Sequence, residues 1–91
     1  MRVTNMLSPR TNQPVANQFI IYSDDGIYFQ SYKSIIAKKD IDGKILLDSF
    51  YWNYSRTTSK YRNEFLGETT KETQAKIDSG VYNLTDLNEG A

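Results

Sequence analysis

Gln18-Phe19-Ile20-Ile21-Tyr22-Ser23-Asp24-Asp25-Gly26-Ile27-Tyr28-Phe29-Gln30-Ser31-Tyr32 is the stretch on which the fold turns. Two runs rich in β-branched and aromatic residues flank Asp24-Asp25-Gly26, the composition of two strands around a turn, with Gly26 suited to positive φ. Register then decides which side chains share a face. A three-residue loop ending at Gly26 pairs Ser23 with Ile27, Tyr22 with Tyr28 and Ile21 with Phe29. One face then holds Phe19, Ile21, Ile27 and Phe29, a core face. The other holds Ile20, Tyr22, Tyr28, Gln30 and Tyr32. A two-residue loop would mix these sets, because a one-residue slip sends side chains to the opposite face. The three-residue loop is preferred here because it separates aliphatic from tyrosine-rich faces.

Working outward, Ile35 to Asp48 reads as a second hairpin turning at Asp40-Ile41-Asp42-Gly43. Ile36, Ile45 and Leu47 share a face in it, and Lys38 and Lys44 lie near the turn. A short strand at Phe50–Trp52 extends the sheet. Residues 1–17 read as a polar, irregular segment, with Ser8 to Pro14 a loop because both prolines disfavour a helix before them. The C-terminal part is helical. Ser55 caps a helix running to about Leu66, with Gly67 at its C′ position and Tyr61, Phe65 and Leu66 as its buried stripe. Thr69 and Glu72 form a capping box for a second helix, which ends near Ser79 with Gly80 at C′ and Val81 placed for a contact back onto its last turn. Tyr82, Leu84 and Leu87 lay the tail on the body. The expected fold is α+β: two antiparallel β-hairpins forming a small sheet, followed by two short helices packed on it. It is one domain, with a polar N-terminal loop (1–17), a sheet (18–54), two helices (55–80) and a tail (81–91).

The 91 residues hold no cysteine and no histidine. That excludes disulfides, thiolate metal sites, Ser-His and Cys-His nucleophiles, and the commonest general base. Asp40-Ile41-Asp42-Gly43 resembles a calcium loop only faintly, since its glycine comes early and no glutamate closes it. The expectation is a non-enzymatic protein with no catalytic residues, no metal and no cofactor. Phe19–Tyr22 and Ile45–Leu47, the longest apolar stretches, are too short for a bilayer, and the N-terminus has no apolar signal region. No membrane is expected, and the location is expected to be cytoplasmic.

Eleven basic and eleven acidic residues balance overall, but charge is sorted along the chain. Ser49-Phe50-Tyr51-Trp52-Asn53-Tyr54-Ser55-Arg56-Thr57-Thr58-Ser59-Lys60-Tyr61-Arg62 holds five of the twelve aromatic residues and three basic ones, with no acid. Rings interleaved with cations and hydroxyls suit a nucleic-acid strand: Tyr54 and Tyr61 stack or orient, while Arg56, Lys60 and Arg62 meet phosphates. Thr57 and its neighbours lie at a helix N-terminus, where N–H groups and hydroxyls hold anions. Arg10 assists from the N-terminal loop. Phe50 and Trp52, as large aromatics, are expected to alternate into the core.

Two weaker patterns bear on the same question. A Tyr22/Tyr28/Tyr32 face resembles the aromatic sheet faces of RNA-binding folds, although the helices are expected to cover it. Two helices around Gly67-Glu68 have helix–turn–helix spacing and would present Thr70, Lys71, Thr73, Gln74 and Lys76 to a groove.

The words Ser8 to Ile21, Tyr28 to Ala37 and Tyr54 to Thr69 resemble a family of small proteins of unknown function found in bacteriophages and mobile elements of Gram-positive and gut bacteria. The resemblance runs from about Asn5 to Asn88, and Trp52 to Arg62 is its most distinctive part. No activity is established for that family, so it assigns no residue a role. It implies a context: a phage or mobile-element accessory protein in the bacterial cytoplasm, acting by binding. The first expected partner is nucleic acid. The alternative is a host or defence protein, modulated or inhibited in the manner of anti-restriction or anti-CRISPR proteins.

Overall fold

The computed structural model describes residues 1–88 and shows an α+β fold, a six-stranded sheet with two helices. The strands are β1 (Arg2–Leu7), β2 (Pro14–Ser23), β3 (Gly26–Ser31), β4 (Ser34–Asp40), β5 (Ile45–Asp48) and β6 (Asn83–Thr85). The helices, α1 (Arg56–Leu66) and α2 (Thr70–Asp78), lie between β5 and β6. Spatial order equals chain order. β1 to β5 form an antiparallel meander, and β6 joins β5 in parallel. A parallel neighbour needs a long crossover, and the two helices supply it.

The expected hairpins are therefore four-sixths of a larger sheet. Residues 2–7 are a strand where an irregular segment was expected, and Ser8 to Gln13 alone forms the loop. Pro14 opens β2, where its missing N–H costs no ladder bond. Phe50–Trp52 forms a turn and does not extend the sheet.

The β2–β3 register corrects the three-residue loop. Ser23 pairs with Gly26, Tyr22 with Ile27, Ile21 with Tyr28 and Ile20 with Phe29, leaving only Asp24 and Asp25 in the loop. Packing explains the choice. A Cβ on Gly26 would stand 2.4 Å from the Lys39 carbonyl of β4, so glycine serves there as a ladder residue under a close neighbour. The slip puts Tyr22 and Tyr28 on opposite faces, and no shared tyrosine face exists. The helix-covered face carries Gln18, Ile20, Phe29, Ser31, Ala37 and Leu47, by their cross-strand pairing. Ile36 is the extra residue of a bulge between β3 and β4 and is 1% exposed.

Both helices obey their local signals. Ser55 accepts from Thr58 N, and Gly67 closes α1 at φ 70, its N–H donating to the Asn63 carbonyl. Thr69 and Glu72 complete the capping box of α2. Phe65 of α1 packs on Phe29 with ring centroids 5.9 Å apart, and Lys39 Nζ lies 4.5 Å from the Phe65 centroid. Tyr61, Phe65 and Tyr82 join Phe29, Ile36, Ala37 and Leu47 in the core. Val81, expected against α2, is exposed. Among the described residues no helix is long and apolar enough to cross a membrane. The tail's acidic Glu89 lies outside the described residues.

Candidate functional site

Asp48 ends β5 and builds the site's first wall. Its carboxylate is 1% exposed, and Oδ2 accepts the N–H groups of Phe50 (3.1 Å) and Tyr51 (2.8 Å). The other oxygen accepts Leu87 N and Asn88 Nδ2, which fastens the tail to the same point. This side-chain turn, together with Trp52 N donating to the Asp48 carbonyl, bends the chain sharply between sheet and helix. The bend exposes Phe50 (70%) and Tyr54 (64%). Tyr51 lies edge-on between them, its centroid 4.7 Å from Phe50 and 5.3 Å from Tyr54. Phe50 is thus a surface residue and not the core residue alternation implied. Trp52 is half-buried against the core.

The second wall is the β3–β4 turn. Ser31 pairs with Ser34, leaving Tyr32 and Lys33 at its tip. Tyr32 takes φ 56, and Asn17, whose carbonyl accepts Tyr32 N at 2.7 Å, takes φ 66. Behind the turn, the hydroxyls of Ser31 and Thr58 share a buried hydrogen bond of 2.9 Å. These pieces surround a cavity of about 540 Å³ lined by Tyr32, Tyr51, Tyr54, Ser31, Ser34 and Thr58, with Lys33, Asn17, Phe19 and Ile36 completing it. That volume is typical of small-ligand pockets.

Topology gathers four cations at this end of the sheet, where the parallel β6 also brings one exposed acid, Asp86. The β1–β2 loop with Arg10, the β3–β4 turn with Lys33 and the start of α1 with Arg56 all emerge here, because β1, β3 and β5 run the same way. Lys60 follows Arg56 by one helical turn. All four are exposed, and none makes an ion pair among the described residues. α1 has no acid in its first turn, so its positive dipole end also faces this side unopposed. Thr57 is exposed there as well.

Two predicted contacts point elsewhere. Tyr61 is 6% exposed, a core residue. Arg62 is 0% exposed, and both Nη atoms of its guanidinium are spent internally, while the buried Nε has no partner among the described residues. Nη1 donates to the Trp52 carbonyl and Asn53 Oδ1, and Nη2 to Asn63 Oδ1 (2.9 Å) and Thr70 Oγ1 (2.8 Å). Its Cζ stacks 5.1 Å from the Trp52 centroid. Burial lowers its pKa from the ordinary guanidinium value, with Glu68 opposing. Arg62 therefore ties the turn, α1 and α2 together and faces no phosphate.

The helix–turn–helix face is partly committed to internal bonds. Thr73 is 0% exposed and donates to Glu68, and Lys76 Nζ donates to Glu68 Oε1 at 2.8 Å. Tyr82 Oη reaches the same oxygen at 2.7 Å. Burial pushes the Glu68 pKa up, but the bonds from Lys76, Thr73 and Tyr82 outweigh it and hold the pKa below the ordinary carboxylate value. Only Lys71 and Gln74 remain exposed among the five residues named for groove reading.

Among the described residues no group of three His, Cys, Asp or Glu side chains could hold a metal ion. Sequence reasoning missed Lys33, Ser31, Ser34 and the outward position of Phe50. The one available signal was the spacing of Ser31 and Ser34 around two residues.

Fold and site define a small α+β protein with an aromatic-rimmed cavity at the basic end of its sheet. The chain belongs to the family of unknown function DUF8033, whose model matches residues 1–80. No curated protein and no solved structure matches it.

Proposed function

We propose that this protein binds single-stranded nucleic acid across the aromatic and basic end of its sheet, without catalysing a reaction. The observation that carries this reading is that the topology brings the β1–β2 loop with Arg10, the β3–β4 turn with Tyr32 and Lys33, and the segment carrying Phe50, Tyr54, Arg56 and Lys60 to one end of the sheet, with each of these named side chains exposed. Bases stack on the rings, worth ~1–3 kcal/mol each, and the cations and the α1 N-terminus meet phosphates. A single strand fits better than a duplex, because rings and a cavity recognise base faces that a duplex keeps stacked. Thr73, buried and bonded to Glu68, and Lys76, paired with the same carboxylate, count against the groove-reading alternative. The reading includes the context given by the resemblance, an accessory protein of a phage or mobile element working in the bacterial cytoplasm.

Anisotropy of labelled short single strands and duplexes, at low and moderate salt, tests it. Saturable single-strand binding that weakens with salt is expected. Removing two phosphate contacts in Arg56→Ala/Lys60→Ala should flatten the slope of log affinity against log salt by ~1.4 while the fold persists. No binding at low salt, where such contacts are strongest, would sink the reading. Phe50, 70% exposed beside Tyr54, favours a second reading in which a host or defence protein docks on the aromatic cluster. A partner that co-purifies in stoichiometric amount after nuclease treatment would favour it.

A further inference from the structure

We infer that the cavity takes one unstacked base of the bound strand and reads its edge, so that binding carries a base preference. This rests on the single-strand reading above and adds specificity to it.

Three observations converge. The first is chemical. The cavity combines ring walls (Tyr32, Tyr51, Tyr54) with the hydroxyls of Ser31, Ser34 and Thr58. Hydroxyls donate or accept, and in the buried Ser31–Thr58 pair either oxygen can be the donor. Rings around a hydroxylated interior match a flat heterocycle with a polar edge better than they match an aliphatic ligand.

The second is strain. Asn17 and Tyr32 are two of only three non-glycine residues at positive φ among the described residues, and both line the cavity. Asn tolerates this region, whereas a bulky residue such as Tyr seldom enters it. Glycine would suit the turn, yet the position holds an aromatic ring that is 53% exposed at the cavity. Backbone strain of this kind gathers at ligand clamps.

The third is an orphan. Gln18 lies between Asn17 and Phe19 and opposite Ser31, all three of them cavity residues. It is 0% exposed, and neither its Oε1 nor its Nε2 has a partner among the described residues. A buried amide with both donor and acceptor unmet is costly and calls for a reason. Glutamine pairs bidentately with a base edge; Gln18 does not itself line the cavity, so this buried amide has to turn from behind the Asn17–Phe19 wall to meet the base.

Affinities for homopolymer strands of A, C and T, and for an abasic strand with the same number of phosphates, test the inference. The wild type is expected to bind its preferred homopolymer about tenfold more tightly than the abasic strand. Two variants keep the test clear of unfolding. Tyr32→Gly matches the backbone conformation, and should lose most of that preference while keeping the salt slope. Gln18→Leu replaces the orphan amide by an apolar group of similar size. It should raise the thermal midpoint and level the differences among A, C and T. Equal affinity for all four strands overturns the inference while leaving strand binding intact. So does a wild-type preference unchanged in both variants. Absence of binding to any strand at low salt overturns both readings.

Discussion

The two ends of the sheet treat charge differently. At one end, the β2–β3 and β4–β5 turns hold Asp24, Asp25, Asp40 and Asp42. Two of these aspartates are committed to the fold. Asp40 Oδ1 accepts the N–H groups of Asp42 and Lys44, both at 2.9 Å, and Asp25 Oδ2 accepts from Tyr28 Oη at 2.8 Å and Lys38 Nζ at 3.0 Å. At the other end Arg10, Lys33, Arg56 and Lys60 have no ion-pair partner among the described residues. A net charge of zero hides this separation. Charges with an internal partner are accounted for by turn chemistry; the unpaired ones, of which Lys33 lines the cavity, are the ones that ask for an external partner.

Arg62 is the sharpest test, since it belongs to the basic end in sequence but to the interior in space. Arg62→Ala removes a 0% exposed side chain and strips its acceptors on Trp52, Asn53 and Thr70. The expected loss is about 3 kcal/mol, combining broken charge-assisted bonds with a cavity. Arg56→Ala, on the exposed first turn, should stay within about 0.5 kcal/mol of the wild type. Urea denaturation of both variants measures the contrast. Equal stabilities would mean that Arg62 is free, and would return it to the set of phosphate contacts.

Glu68→Gln comes next. Its carboxylate, with a side chain 5% exposed, gathers Lys76, Thr73 and Tyr82. The variant should lose about 1–2 kcal/mol at neutral pH. The native carboxyl titrates below its ordinary 4.5, so the folded state binds this proton less readily than the unfolded one. Its contribution is present above 4.5 and fades as pH falls through the native value. Stability-versus-pH curves of wild type and variant should therefore converge on the acid side. Parallel curves would show that the network is not ionic.

Local signals were legible in the sequence and non-local ones were not. Ser55, Gly67, Thr69 and Glu72 act within a turn of where they stand, so both helices were readable from composition alone. The β2–β3 register was not, because sorting aliphatic from tyrosine residues assumes one wet face. Here Phe29 packs under α1 while Phe19 and Ile21 stay half-buried on the other side, so apolar residues occupy both. β1 escaped notice since Arg2 to Leu7 is an edge strand with mostly exposed residues and no alternation to betray it. At the site, the acid-free tract offered Tyr54, Arg56, Thr57, Lys60 and Arg62 alike; the first four are exposed, and Arg62 could not be told from them. Its acceptors are a backbone carbonyl and side chains contributed by three separate elements. Lys33 and Ser31 join the site only because a meander brings the β3–β4 turn beside the start of α1.

The acidic end offers the smallest effect and the cleanest control. The Asp25 pKa is lowered from 3.8 to about 2, first by the hydrogen bond from the Tyr28 hydroxyl and then by Lys38. A depressed carboxyl contributes stability above its unfolded value, and that contribution disappears between 3.8 and about 2 as acid is added. The side chain is 59% exposed, so salt should weaken the Lys38 part and leave the Tyr28 part largely in place. Carboxyl-carbon NMR titration should find the midpoint near 2 in the wild type and closer to 3.8 in Tyr28→Phe. Strand binding in Tyr28→Phe should match the wild type, because Tyr28 belongs to the end whose charges are spent on the fold. A midpoint already near 3.8 in the wild type would leave Asp25 as unengaged as Arg56, and the contrast between the two ends would then rest on Asp40 alone.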